Sequence, residues 1–269
     1  MGLVPGVDIS VGATQTQPLQ SVNAVVTSPP YANQRQRQYG GIADADYPAW
    51  TVAWMDRVRP RLVDGGNIAI VIRPHVKNGE ISDYVLRTRL AVRDAGWHEI
   101  EELIWIKPSA APLGHARRPR RSWESILWFS TSSRPYCDPA ANGAPSRRLG
   151  ITVNKGVGGY IHGTKQRDEL RCGTARCRDY VAVPTAASDR SSSNNHPAPY
   201  PQALAEWIIR LLCPPDGVVS DPFMGSGTTA VAAKNTGRRF VGSDINAEFV
   251  AIARKRLRAI PSTSAELRR

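Results

Sequence analysis

Apolar residues along this chain follow two rhythms. Short unbroken runs occur at Val22–Thr27 (VNAVVT), Asn67–Ile72 (NIAIVI), Ile100–Ile106, Ser125–Phe129, Gly217–Asp221 and Arg239–Asp244. Runs of this length, rich in β-branched residues and bounded by turn formers, predict buried strands. Between them the spacing lengthens to three or four residues. Trp50, Ala53, Trp54, Val58 and Leu62 share one face of a helix predicted over Tyr47–Leu62,. Further helices are predicted over Ile81–Ala95, Tyr200–Leu212, Gly227–Asn235 and Ala247–Leu257. Pro29–Pro30 ends the first strand, Gly65–Gly66 the first helix and Gly96 the second,. Strands alternating with helices predict an α/β fold, a mostly parallel sheet covered on both faces. Periodicity is lost over residues 131–195, which are rich in Gly, Ser, Asn and Arg. That stretch is expected to be an inserted recognition region between two halves, residues 1–130 and 196–269.

Composition narrows the partners. The chain has 269 residues, 41% of them hydrophobic, and seven Trp. That is enough for one substantial core, and too apolar for a disordered basic tail. No apolar run is long enough to span a membrane. Met1–Ser10 lacks the basic and apolar regions of a secretory signal,. Cys137, Cys172, Cys177 and Cys213 are too scattered for a disulfide scaffold,. A cytoplasmic setting is expected, in a bacterial or phage-infected host cell. No metal site is expected either: the spacing between Cys172 and Cys177 is loose, and Cys137 and His162 do not complete a second close pair.

The formal net charge is +12, of which +8 lies in residues 111–180. Basic residues there are interleaved with Gly, Pro, Ser, Thr, Asn and Tyr, a composition suited to an adaptable nucleic-acid surface. Arg117, Arg118, Arg120 and Arg121 form the densest cluster, followed by Arg147, Arg148, Lys155 and Lys165. Arg35 and Arg37 lie close behind the first strand and are further candidates for phosphate contacts. A second basic cluster, Arg254, Lys255, Arg256 and Arg258, is expected to be a solvated helix face.

Two turns carry candidate chemistry. Gly225-Ser226-Gly227-Thr228-Thr229-Ala230 follows a strand and opens a helix, and Asp244 comes 19 residues after Gly225 at the end of the next strand. Glycines at this spacing let a ligand approach the backbone, and an acid so placed can accept from a ribose diol. Any adenosine-bearing cofactor satisfies this much. Asp221, just before the glycines, favours a cationic amine over a pyrophosphate. The second turn, Thr27-Ser28-Pro29-Pro30-Tyr31, also follows a buried strand. Its prolines remove two N–H donors, leaving the Ser28 hydroxyl and nearby carbonyls as acceptors beside an aromatic ring. That set suits a flat group carrying an amine.

Ser28-Pro29-Pro30-Tyr31 resembles the catalytic motif of the β-class DNA amino-methyltransferases. Asp221 and Phe223 to Thr229 resemble their cofactor motif. Asn195 to Pro201, with His196, Pro197, Ala198 and Tyr200, resembles the segment before their cofactor helix, and Asp244-Ile245-Asn246 resembles their ribose-binding strand end. The catalytic motif precedes the cofactor motif, as in that class. The resemblance implies a Rossmann-like mixed sheet and methyl transfer from S-adenosyl-L-methionine to a base amine of double-stranded DNA. Ser28, Pro29, Pro30 and Tyr31 would be catalytic. Thr27, His196, Pro197, Ala198, Tyr200, Asp221, Phe223, Gly225, Ser226, Gly227, Thr228, Thr229, Asp244, Ile245 and Asn246 would bind the cofactor. The target base would be flipped out of the duplex. Serine at the head of the motif is the family's usual mark of cytosine N4 methylation, with adenine N6 as the alternative. A cognate restriction endonuclease, a phage self-protection role and an orphan regulator are all compatible partners or settings. Two departures stand out: Asp244 occupies a position more often Glu, and only Asp8 lies near the expected Gly-Asp segment. An NAD(P)-dependent oxidoreductase explains the glycine turn alone, and a non-catalytic nucleic-acid binding module the charge alone.

Overall fold

The computed structural model describes residues 7–11, 21–33, 41–110, 117–145, 174–185 and 200–260. Its spine is one eight-stranded sheet among these residues. In chain order the strands are β1 (Val7–Val11), β2 (Val22–Thr27), β3 (Leu62–Ile72), β6 (His98–Ile106), β7 (Trp123–Ser130), β8 (Tyr180–Ala182), β9 (Val218–Asp221) and β10 (Arg239–Asp244), while β4 (Val76–Lys77) and β5 (Glu80–Ile81) form a separate hairpin. The helices are α1 (Tyr47–Val58), α2 (Tyr84–Asp94), α3 (Gln202–Leu212), α4 (Thr228–Asn235) and α5 (Ala247–Arg258).

Across the sheet the order is β1-β10-β9-β2-β3-β7-β6-β8. Only β7 runs against its neighbours; every other pairing is parallel. This is the expected mostly parallel mixed sheet. Alternation along the central strands shows why their runs are continuously apolar. Ala24, Val26, Ala69 and Val71 face a cluster with Leu204, Ile208 and Leu212 of α3 and Val231 of α4. Val25, Ile68, Ile70 and Ile72 face the other way, onto Tyr47, Met55 and Val58 of α1 and Tyr84 of α2. Both faces are buried, so neither can be polar.

Several boundaries differ from the sequence reading. The first helix stops at Val58 rather than Leu62; Arg59–Arg61 tighten into a 3₁₀ turn and Leu62 already pairs with Val22. Pro60 lacks the N–H that a continuing helix requires. The second helix starts at Tyr84 because Ile81 is taken by the hairpin, where it pairs with Val76. Asn78 and Gly79 both have positive φ at the hairpin tip, as an Asn-Gly turn demands,. The stretch 131–195 is not wholly separate: β8 lies within it and joins the main sheet beside β6. Neither β1 nor β8 was evident from the pattern of residues.

From β2 the chain moves through α1 to β3, on one side. From β9 it moves through α4 to β10, on the other. The strand order therefore reverses between β2 and β9, which are direct neighbours, with Ala24 opposite Val219 and Val25 opposite Ser220. A ligand crevice forms at the carboxyl ends of strands at such a reversal.

Candidate active site

Both turns singled out in the sequence emerge at that crevice. Asp221 is the last residue of β9 and is 1% exposed. Its Oδ1 accepts from Thr27 Oγ1 at 2.7 Å and from the Phe223 amide at 3.0 Å, and its Oδ2 accepts from Thr229 Oγ1. Thr229 also hydrogen-bonds the hydroxyl of the half-buried Tyr200. Burial pushes the Asp221 carboxyl up to about 7; the bonds from Thr229, Thr27 and Phe223 pull the other way, and the nearby Asp244 charge adds to the rise. No ion pair joins Asp221 to a Lys or Arg among the described residues. Thr27 is itself fully buried, so it reaches the site through this carboxylate.

The glycine turn is built as its spacing suggested. Gly225 (φ 51°) and Gly227 (φ 82°) both occupy the left-handed region,. A Cβ on Gly227 would lie 2.6 Å from Ala253 Cβ, so the second glycine also lets α5 approach the start of α4. Ser226 and Thr228 are buried. Asp244 ends β10, 4% exposed, and holds the turn: its Oδ2 accepts from the Gly225 amide at 2.9 Å and its Oδ1 from the Asn246 amide at 2.8 Å. Each oxygen keeps a lone pair. Ile245 beside it is 64% exposed, an apolar side chain left open at the crevice. Asn246 caps α5, accepting from the Glu248 amide at 2.8 Å. An unpaired buried carboxylate, an acid with spare acceptors and an open apolar face fit an ammonium group, a ribose diol and a flat ring respectively. Those are the features of S-adenosyl-L-methionine.

The turn from Ser28 to Tyr31 leaves β2 next door. Pro29 is buried, while Ser28, Pro30 and Tyr31 are half-buried. Tyr31 Oη donates to Glu124 Oε2 at 2.6 Å. Burial, then the Glu124 charge, raises the Tyr31 phenol well above its usual range. Glu124, 6% exposed on β7, pairs through Oε1 with Lys107 Nζ, and Arg73 Nε stands 4.0 Å away. Lys107 lies 4.4 Å from the Trp105 ring centroid. Burial lowers the Lys107 pKa and Glu124 opposes that shift. The sequence reading missed Glu124 and Lys107. The available signal was one acid near the start of an otherwise buried strand.

A model of DNA methylases, the N6/N4 family, matches residues 22–255. The chain belongs to this DNA methylase family. It is 28% identical over 260 residues to the type II methyltransferase M.ScaI of Streptomyces caespitosus, covering 93% of this chain and 79% of that one. Its fold superimposes on the PvuII cytosine-N4-specific DNA methyltransferase with a TM-score of 0.69 at 22% identity, covering 98% of this chain and 92% of the other. It also superimposes on the M1.HpyAVI–SAM complex, with a TM-score of 0.63 at 21% identity and coverage of 93% and 98%.

The described members of the arginine cluster immediately precede β7 in this methylase fold. Arg117, Arg118 and Arg120 are exposed and Arg121 is half-buried. Arg118 donates to the Gly79 carbonyl, which ties the cluster to the tip of the β4–β5 hairpin. Burial and then the Arg73 charge lower the Arg121 pKa, with Glu124 opposing. In the C-terminal basic cluster, Arg254, Lys255 and Arg258 are exposed as expected. Arg256 is not: its Nη1 donates to the Ser226 carbonyl at 2.8 Å and lies 3.4 Å from Thr228 Oγ1, clasping the glycine turn. Arg35, Arg37, Arg147, Arg148, Lys155, Lys165, His196, Pro197 and Ala198 lie outside the described residues, as do Cys172 and His162. Among the described residues no cluster of His, Cys, Asp and Glu could hold a metal, and no helix is long and apolar enough to cross a membrane.

Proposed function

We propose that this DNA methyltransferase modifies the exocyclic N4 amine of cytosine in double-stranded DNA. The observation that carries the reading is the junction of two strand ends. Ser28-Pro29-Pro30-Tyr31 and Asp221 leave the neighbouring strands β2 and β9 and are tied by the Thr27–Asp221 hydrogen bond. S-adenosyl-L-methionine, held by Asp221, the turn from Gly225 to Thr229, Asp244 and Ile245, supplies the electrophilic methyl group. Asp221 would accept from its ammonium group and Asp244 from its ribose hydroxyls.

The target amine is hidden in the base stack, so the nucleotide is flipped out at a cost of a few kcal/mol. The open part of the Tyr31 ring offers stacking, worth about 1–3 kcal/mol. Ser28 Oγ and the Pro29 carbonyl would accept hydrogen bonds from the two amine N–H groups, and the methylated nitrogen, cationic after transfer, returns to neutral by releasing one of those protons to solvent. Positioning is then the main catalytic contribution. Ser28, where adenine enzymes of the resembling group mostly carry Asp or Asn, favours cytosine, as does the likeness to an enzyme described as cytosine-N4-specific. Target recognition is assigned to residues 131–195 and phosphate contacts to Arg117, Arg118, Arg120 and Arg121. A cytoplasmic setting with a cognate restriction endonuclease suits the likeness to a type II methyltransferase.

The test is mass analysis of nucleosides from DNA incubated with the protein and S-adenosyl-L-methionine. N4-methylcytosine is expected, and N6-methyladenine alone overturns the choice of base. Tyr31→Ala and Asp221→Ala are each expected to abolish transfer of labelled methyl groups; unchanged transfer overturns the site.

A further inference from the structure

Exposed apolar side chains usually lie singly on a surface and need no account. The β4–β5 hairpin differs, because it holds two of them out on one arm. Val76 and Ile81 are direct cross-strand partners, 39% and 62% exposed. The hairpin joins no strand of the main sheet. At its tip, a Cβ added to Gly79 would meet nothing within 4 Å. A two-stranded hairpin is marginal on its own. Here its base is fixed from several sides. The Ser82 amide donates to the His75 carbonyl at 2.9 Å, and Ser82 Oγ donates to Asp44 Oδ2 at 3.1 Å. His75 Nε2 stands 3.3 Å from the same oxygen, and its ring stacks on Tyr84. The Tyr84 hydroxyl donates to the Arg73 carbonyl at 2.6 Å.

The arm stands at the crevice. β2 and β3 run parallel with Thr27 opposite Ile70, so the hairpin leaves the same sheet edge as the turn from Ser28 to Tyr31. Arg73, three residues before Val76, approaches Glu124 to 4.0 Å, and Glu124 accepts from Tyr31. At the other end, Arg118 donates to the Gly79 carbonyl. A guanidinium carries five N–H donors, so this bond does not exhaust it. Arg117 and Arg120 nearby in the chain are exposed. The base of the arm therefore adjoins the site of methyl transfer, and its tip touches the cations assigned to phosphates. Within the arm, Lys77 lies opposite Glu80, so its formal charges cancel.

We propose that the β4–β5 hairpin enters the major groove of the DNA beside the target base, where the Val76–Ile81 face packs on base edges and Asn78 reaches a base from the tip. The major groove admits a two-stranded ribbon, and thymine methyls give it apolar surface. Asn78 is exposed and offers an amide donor and acceptor,. The hairpin adds a reading element to the recognition assigned to residues 131–195. The inference rests on DNA being the substrate and holds for either target base.

The experiment uses the full chain and a duplex oligonucleotide carrying a site that the wild type methylates. Fluorescence anisotropy gives affinity across a salt series for the wild type and for Val76→Ser/Ile81→Ser. Because the arm is formally neutral, the double variant is expected to bind about tenfold more weakly with an unchanged logarithmic salt slope. Its S-adenosyl-L-methionine affinity by calorimetry is expected to match the wild type. Affinity for the duplex within twofold of the wild type, or a loss that comes with a flatter slope, overturns the proposal. Photocrosslinking reports contact even if the double variant folds poorly. With a photoreactive benzoylphenylalanine in place of Ile81, irradiation is expected to link the protein to the duplex. The same group in place of Leu90, exposed on α2, is expected to give no link. No link from position 81, equal links from both positions, or a link to a second copy of the chain in place of DNA overturns the proposal. A wild type that methylates no DNA instead refutes the functional reading on which the proposal rests.

Discussion

Replacing Asp221 with asparagine is expected to stabilise the cofactor-free protein while destroying its affinity for S-adenosyl-L-methionine. The carboxyl rises from 3.8 to about 7 on folding, chiefly through burial. A raised acid binds a proton in the folded state that the unfolded chain has already lost, so stability falls as pH climbs from about 4 to about 7 and is level above that. At 1.36 kcal/mol per unit, the ionised carboxylate costs the empty protein about 4 kcal/mol above pH 7. Asparagine removes this cost. Its Oδ1 can keep the bonds from Thr27 and the Phe223 amide, and the Thr229 hydroxyl can turn to accept from Nδ2. Lost geometry offsets part of the gain, about 1 kcal/mol. Urea unfolding of the cofactor-free protein checks this. The advantage of Asp221→Asn over the wild type should grow by about 3 kcal/mol between pH 5 and pH 8. In calorimetry, wild-type affinity for S-adenosyl-L-methionine should rise by up to tenfold per pH unit below about 7, because the bound ammonium requires the carboxylate. The variant should bind weakly at every pH. A variant no more stable than the wild type at pH 8, or one that binds the cofactor normally, would refute the assignment of Asp221 as a strained receptor for a cation.

The two basic clusters should behave differently from one another. Arg256→Ala removes a half-buried donor to the buried Ser226 carbonyl. It should cost about 1–3 kcal/mol of stability and weaken S-adenosyl-L-methionine binding severalfold, leaving DNA affinity unchanged; thermal unfolding and parallel titrations check this, and a selective loss of DNA affinity would contradict it. With about six phosphates neutralised, wild-type DNA affinity should fall with salt at a logarithmic slope near −5, by fluorescence anisotropy. Changing Arg117, Arg118, Arg120 and Arg121 together to Gln should flatten that slope by about 3.6, while an unaltered slope would show that these residues do not meet the backbone.

Much of this protein was legible in its residues because the decisive signals are local. VNAVVT and NIAIVI are apolar without alternation, which only a strand covered on both faces requires, and β2 and the buried part of β3 appear there. Ser28-Pro29-Pro30-Tyr31 and Gly225-Ser226-Gly227 are turns whose backbone limits are written in proline and glycine, so their places at strand ends followed from order alone. Tertiary structure decided what depends on a distant partner. β8 is three residues long and exists because Tyr180 to Ala182 pair with Ile104 to Ile106 at the sheet edge. β1 is likewise held by β10. Arg256 reads as one of four basic residues on a helix, and only the close approach of α5 at Gly227 turns it onto the glycine turn. Glu124, Lys107 and Tyr31 are separated by up to 93 residues and form one chain of contacts only when β6 and β7 fold back beside β2 and β3. A pattern along the chain reports which side of an element is apolar, whereas a hydrogen bond between two strand ends depends on three-dimensional register.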